Sequence, residues 1–163
     1  MRTGQALLPE FDEEMATTRR LLERVPNERM TWKPHEKSFA LGHLTQLIAR
    51  MPGWITNVVT ARALDLSSGA PYTFETPAAL LDEFDRNVQG ARTALDHVSD
   101  DDLAESWSLR HGERVLFSAP RRVVVRQTIN HLVHHRGQLS VYLRLIDVPL
   151  PSIYGPTADD RTF

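Results

Sequence analysis

The sequence contains no cysteine. Disulfide bridges, thiolate metal ligands and a cysteine nucleophile are therefore all excluded. Any transition-metal site has to be assembled from His, Asp, Glu and water. A dominant charge is lacking as well: 19 Lys and Arg stand against 21 Asp and Glu, for a formal charge of -2. Such a balance gathers neither phosphates nor an anionic surface, which argues against nucleic acid and membrane as partners. Long apolar runs are also missing. MRTGQALLPEFDEE turns acidic before a signal-like apolar stretch develops, so the expected location is the cytoplasm.

What is present is helical periodicity. The 163 residues, 41% of them hydrophobic, suit one domain over 1–163 that buries roughly two-thirds of its unfolded surface. Leu7, Phe11, Met15, Thr18, Leu22 and Val25 recur at helical spacing, predicting a first helix from about Leu7 to Val25 that ends at Pro26. NERMTWKPHEKS reads as an ordered crossing loop, with Trp32 packed on the end of the helical core and Ser38 as a cap. From Phe39, residues Ala40, His43, Leu44, Leu47, Met51, Trp54, Ile55, Val58 and Ala61 recur three and four apart. Pro52-Gly53 interrupts that pattern and predicts a kink or two abutting helices.

LSSGAPYTFET is a linker of turn formers, and Thr76-Pro77 joins a hydroxyl cap to proline at the first helical position. A third helix is expected from there to about His97, with Leu80, Phe84, Val88, Ala91 and Leu95 on its core side. Between Ser99 and Pro120 the period fails: Trp107 and Leu109 alternate with serines and Val115, Leu116 and Phe117 run together. A long loop or small irregular hairpin is expected there. The last helical pattern runs from Pro120 to Val148 and stops at Pro149 and Pro151. Four such segments predict an all-α four-helix bundle, with a long loop before the last helix and connections long enough for a topology other than up-down-up-down.

His131 and His135 lie four apart, so a helix presents both imidazoles on one side. A pair of this kind often arises without a metal. His43, however, falls in the core stripe of a second long helix, and buried imidazoles need polar partners. Three neutral imidazoles sharing a divalent zinc or nickel ion would use their lone pairs. His43, His131 and His135 are therefore the candidate metal ligands and the metal-mediated catalytic residues. Gln138, at a similar angle to His131, is a candidate for orienting a ligand or substrate. His134 is expected to flank the site, and His35, His97 and His111 to be loop or helix-end residues. Arg136 is either a substrate or subunit contact or a salt-bridged helix arginine. Gly137 suggests close helix or subunit packing, and Trp54 and Tyr142 suggest core or pocket walls.

WKPHEKSFALGHL at 32 to 44 and INHLVHHRGQLSVYLRLIDVPLPSIYG at 129 to 155 closely resemble the DinB/YfiT-like superfamily of metal-dependent enzymes. The resemblance follows nearly the whole chain in segment order and length. It implies an up-down-down-up helical bundle, a homodimer, and three metal-binding histidines at His43, His131 and His135 with nickel or zinc as the ion. It also implies transfer of a low-molecular-weight thiol as the activity of several relatives, with no DNA-binding function.

Three histidines leave coordination positions open for water or substrate. A metal-bound thiol is itself the nucleophile, so thiol transfer to an electrophilic small molecule demands little of the protein. Hydrolysis requires a general base, and no H-E-x-x-H arrangement offers one. Thiol transfer is thus the first reading; a metal-dependent hydrolase, or a metal-binding stress-response protein without enzymatic activity, are the alternatives.

Overall fold

The computed structural model describes residues 1–73 and 75–162. In chain order its elements are α1 (Thr3–Leu22), α2 (Leu41–Thr60), β1 (Ala63–Asp65), α3 (Pro77–His97), α4 (Asp100–Ala104), β2 (Ser106–His111), β3 (Arg114–Pro120) and α5 (Arg121–Leu145). Short 3-10 turns occupy Asn27–Arg29 and Leu66–Ser68.

The four long helices bury the stripes their sequences carry. Phe11 and Leu21 of α1, Leu44, Ile48 and Ile55 of α2, Phe84 and Leu95 of α3, and Leu139 and Leu143 of α5 share one core. Their directions follow from cross-contacts. Arg2 donates to the carbonyls of Asp96 and His97 while Arg19 pairs with Asp85, so α1 and α3 are antiparallel. Gly53 lies against Asn87 and Thr56 against Gly90, so the numbers rise together and α2 and α3 run in parallel, with Asn87 Nδ2 donating to Ala49 O at 2.9 Å. Glu10 meets Arg126 and Glu14 meets Arg136, which makes α1 and α5 parallel. Tyr142 Oη donates to Phe39 O and Arg121 to Ala61 O, placing α5 antiparallel to α2.

Several ends differ from the sequence expectation. Pro52 lies inside α2 and does not divide it. The cap of α2 is Ala40, without a side-chain hydrogen bond, instead of Ser38. Its free amides go to the preceding loop: Leu41 N donates to Trp32 O at 2.7 Å and Gly42 N to Met30 O at 2.8 Å. Backbone carbonyls thus do the work expected of a hydroxyl. α1 starts at Thr3, ahead of its apolar pattern, and Gly4 in its first turn lies directly under the end of α3, where a Cβ would stand 2.2 Å from Leu95 O. Thr76 does cap α3, accepting from Ala79 N at 3.3 Å with Pro77 behind it. α5 ends before its prolines, with Asp147 at φ 59. There Asp147 N donates to Arg144 O and Val148 N to Leu143 O, a left-handed cap that glycine usually fills.

The fold class needs one addition. The protein is mostly helical, as expected, with a small three-stranded sheet beside the helices. Of the long loop or small irregular hairpin expected before the last helix, the hairpin forms: α4 is followed by the antiparallel β2–β3 pair. Gly112 at φ 59 makes its turn, and β1 adds in parallel to β2. The alternation Ser106-Trp107-Ser108-Leu109 was strand patterning: Trp107 is buried, and its indole N–H donates to Asn57 Oδ1 of α2 at 3.2 Å. The sheet therefore lies over one end of the α2–α5 pair. Among the described residues no helix is long and apolar enough to cross a membrane.

Candidate metal centre

One turn of α5 brings His131 and His135 together. Their Nε2 atoms stand 2.9 Å apart, with ring centroids separated by 4.6 Å. His135 Nδ1 is 2.7 Å from Gln138 Oε1. An amide oxygen only accepts, so in this arrangement Nδ1 carries the proton and the Nε2 lone pair faces His131. Two nitrogens about 2.1 Å from one ion stand roughly 3.0 Å apart at a right angle. The spacing and the neutral imidazole chemistry of the pair therefore fit a divalent transition ion.

His135 is 8% exposed, His43 half-buried, and His131, His134 and Gln138 exposed. The cost of burying an unpaired imidazole, expected for all three candidate ligands, falls fully on His135 alone. Desolvation lowers the pKa of His135, with the Gln138 hydrogen bond opposing it. Desolvation and then the neighbouring His135 and His134 lower that of His131. Both shifts favour the neutral form, the form with a free lone pair.

His43 occupies an aromatic stack between Phe39, at 4.2 Å between centroids and 7°, and Tyr72, at 3.8 Å and 16°. Desolvation lowers its pKa, and the Arg50 charge adds to this. Along α2, His43 lies between Phe39, which Tyr142 contacts, and Trp54, whose ring is 6.1 Å from that of His131. The stretch of α5 between those two contacts carries His135 and Gln138. Among the described residues no group of three or more His, Asp or Glu side chains is placed to hold an ion. The structure thus unites His131 with His135 and leaves His43 in the adjoining stack.

The other candidates separate cleanly. The ring of His134 is 5.1 Å from that of His135, on its outer side. His35 accepts from Lys37 N in a loop, His97 Nδ1 stands 2.8 Å from Thr93 O at the end of α3, and His111 ends β2. Arg136 is a buried structural arginine: its Nη1 is 2.6 Å from Glu14 Oε2. That close ion pair is not aligned as a hydrogen bond, since the same nitrogen donates to Glu14 O at 3.2 Å and Thr18 Oγ1 at 3.4 Å. Gly137 has open space where a Cβ would go, so packing within the chain does not require it.

A pocket of about 300 Å³ opens beside His131. Trp54 from α2, Trp107 and Leu109 from β2, Phe117 from β3 and Val124 from α5 wall it, and Gln127 and Thr128 supply polar atoms. Sequence reasoning singled out Trp54 and the alternation at Trp107 and Leu109, but it did not connect them. The alternating serines were the available signal that those side chains share one face.

No curated protein matches the sequence. In structure the chain is similar to a DinB-like protein from Bacillus cereus ATCC 10987, with a TM-score of 0.73 at 20% identity over 92% of this chain and 97% of that one. It is similar as well to a DinB-like protein, YjoA, from Bacillus subtilis, with a TM-score of 0.71 at 18% identity over 96% and 99% of the two chains. At these identities the likeness speaks for the fold. The sequence pattern of the DinB family matches residues 1–162, and with that coverage the chain belongs to the DinB family.

Proposed function

We propose that this chain is a metal-dependent enzyme in which His43, His131 and His135 hold a divalent nickel or zinc ion, and that it transfers a low-molecular-weight thiol to an electrophilic small molecule. One observation carries this reading: the two Nε2 atoms converge at 2.9 Å while Gln138 fixes the tautomer of the buried His135. His43 completes the set by turning out of the stack between Phe39 and Tyr72. The helix directions described above suit an up-down-down-up four-helix bundle, in which α2 and α5 present ligands to one another.

An ion held by neutral imidazoles supplies Lewis acidity and lowers the pKa of a bound thiol. The residues of the chain do the rest. Gln138 holds the His135 proton on Nδ1, Trp54 and the sheet wall the pocket beside His131 with apolar surface, and that pocket positions the second substrate. The thiol gives its proton to solvent, its sulfur forms the new C–S bond, and the leaving group of the electrophile departs with the bonding pair. Transfer is favoured over hydrolysis because, among the described residues, the pocket lining contains no Asp or Glu to act as general base.

Metal analysis of the purified protein, coupled to thiol consumption assays with a panel of thiols and an activated haloarene, tests the reading. The expected result is stoichiometric nickel or zinc, turnover with at least one thiol, and loss of both in His131→Ala and His135→Ala. Turnover that survives metal removal would overturn it.

A further inference from the structure

The pocket beside His131 carries chemistry of its own. Among the described residues, none that lines it bears a formal charge. Its polar groups are also largely spent: the Trp107 indole N–H goes to Asn57 Oδ1 at 3.2 Å, and the Thr128 hydroxyl to Val124 O at 2.8 Å. Apolar ring and aliphatic surface, the Gln127 amide and the His131 imidazole remain to meet a ligand.

A neighbouring pocket shares Trp54, Leu64 and Leu66 with this one and contains Arg50, Asp65 and Glu83. Those charges are engaged. Arg50 pairs with Glu83 and donates to Ala70 O and Pro71 O, while Asp65 accepts from Gly112 N and from Ser67. An ionic ligand would give up its hydration here and meet no unpaired countercharge. A volume of about 300 Å³ lies at the small end for ligand sites.

We infer that the electrophilic substrate is a neutral, largely apolar molecule of one or two rings, its ring held among Trp54, Trp107 and Phe117 with its reactive atom toward His131. Its place as the electrophile rests on the metal-centre reading proposed above; the selectivity of the pocket does not. Aromatic walls suit a flat ring by offset or edge contacts, and the one imidazole in the lining fixes which end of the molecule reaches the ligand pair.

The test uses 2-naphthol as neutral probe and 2-naphthoate as its anionic counterpart, titrated into metal-free full-length protein and followed by NMR at the Trp indole N–H signals. The expected result is that 2-naphthol shifts the Trp54 and Trp107 signals and that 2-naphthoate binds at least about tenfold more weakly, since its charge goes unpaired. Phe117→Glu, a change at the partly exposed rim, is expected to weaken 2-naphthol by at least about tenfold through the same desolvation and to keep wild-type metal stoichiometry. Equal or tighter binding of 2-naphthoate, unmoved indole signals, or a Phe117→Glu variant that binds 2-naphthol normally would each overturn the inference. The two readings fail separately: 2-naphthol binding without any metal binding refutes the metal centre alone, and a metal-loaded protein that ignores 2-naphthol refutes the substrate class alone.

Discussion

His135 and Arg136 are adjacent on α5, almost equally buried, and opposite in their dealings with the rest of the chain. Arg136 faces α1, where Glu14 and Thr18 surround it and the Tyr154 ring lies 5.0 Å from its guanidinium carbon. His135 faces the other way, where its Nδ1 is engaged by Gln138 and its Nε2 meets only another imidazole. A buried charge enclosed by its counterion is a structural element. A buried base whose outer nitrogen converges with a second base beside a pocket is the arrangement on which the proposed metal site rests. Sequence proximity therefore says little about role; the partner set decides it.

That contrast can be broken from either side. The largest effect is expected on the α1 side, where Glu14→Gln leaves the Arg136 guanidinium buried without its counterion, a change that typically costs about 3–5 kcal/mol. Urea unfolding measures it, and a loss below about 1 kcal/mol would mean that water already solvates Arg136. On the pocket side His135→Ala in metal-free protein removes side-chain hydrogen bonding worth about 1 kcal/mol. The same denaturation series should therefore rank it well below Glu14→Gln, and a larger loss would make His135 a structural residue.

Between these faces Gly137→Ala should raise stability by about 1 kcal/mol, because the helix gains propensity and the added methyl meets open space. Destabilisation in the same assay would reveal a contact at Gly137 made outside the isolated chain. The smallest effect belongs to the C-terminal segment that carries Tyr154 over Arg136. The Asp160 carboxyl is held at about 2, below its ordinary 3.8, first by the Ser152 amide and then by Thr162. A depressed carboxylate contributes stability above its unfolded pKa and loses it as pH falls through the folded one. Local opening, seen as faster exchange of the Ser152 amide, should thus begin below about pH 4 and progress toward pH 2. Asp160→Ala should exchange quickly across the whole range; protection independent of pH in both proteins would contradict this.

Much of the helical framework was legible because it rests on local signals. The start of α3 is encoded in Thr76-Pro77, and the ends of α2 and α5 lie close to where their apolar stripes fade. Pro52 does not divide α2 because the hydrogen bond it cannot donate is set against the wholly buried Ile48, Met51 and Ile55 around it. A small hairpin was one of the two readings for the segment before α5, but the three-stranded sheet it belongs to was hidden for the opposite reason. β1 is three residues long and exists only by pairing with β2, more than forty positions away, while a bulge at Leu109/Arg110 breaks the alternation. Val115, Leu116 and Phe117 are all exposed, so no inward face marks β3 as a strand. The site divides along the same line: the spacing of His131, His135 and Gln138 is a property of one helix, whereas the pocket draws walls from β2 and β3.

The central claim is that α2 and α5 jointly hold a transition ion, and X-ray absorption spectroscopy of the nickel- or zinc-loaded protein tests it most directly. The expected spectrum shows three imidazole nitrogens at about 2.0–2.1 Å, falling to two in His43→Ala and losing bound metal altogether in His135→Ala. A protein that takes up no stoichiometric ion, or an ion surrounded by oxygen with the histidine variants unchanged, would contradict it.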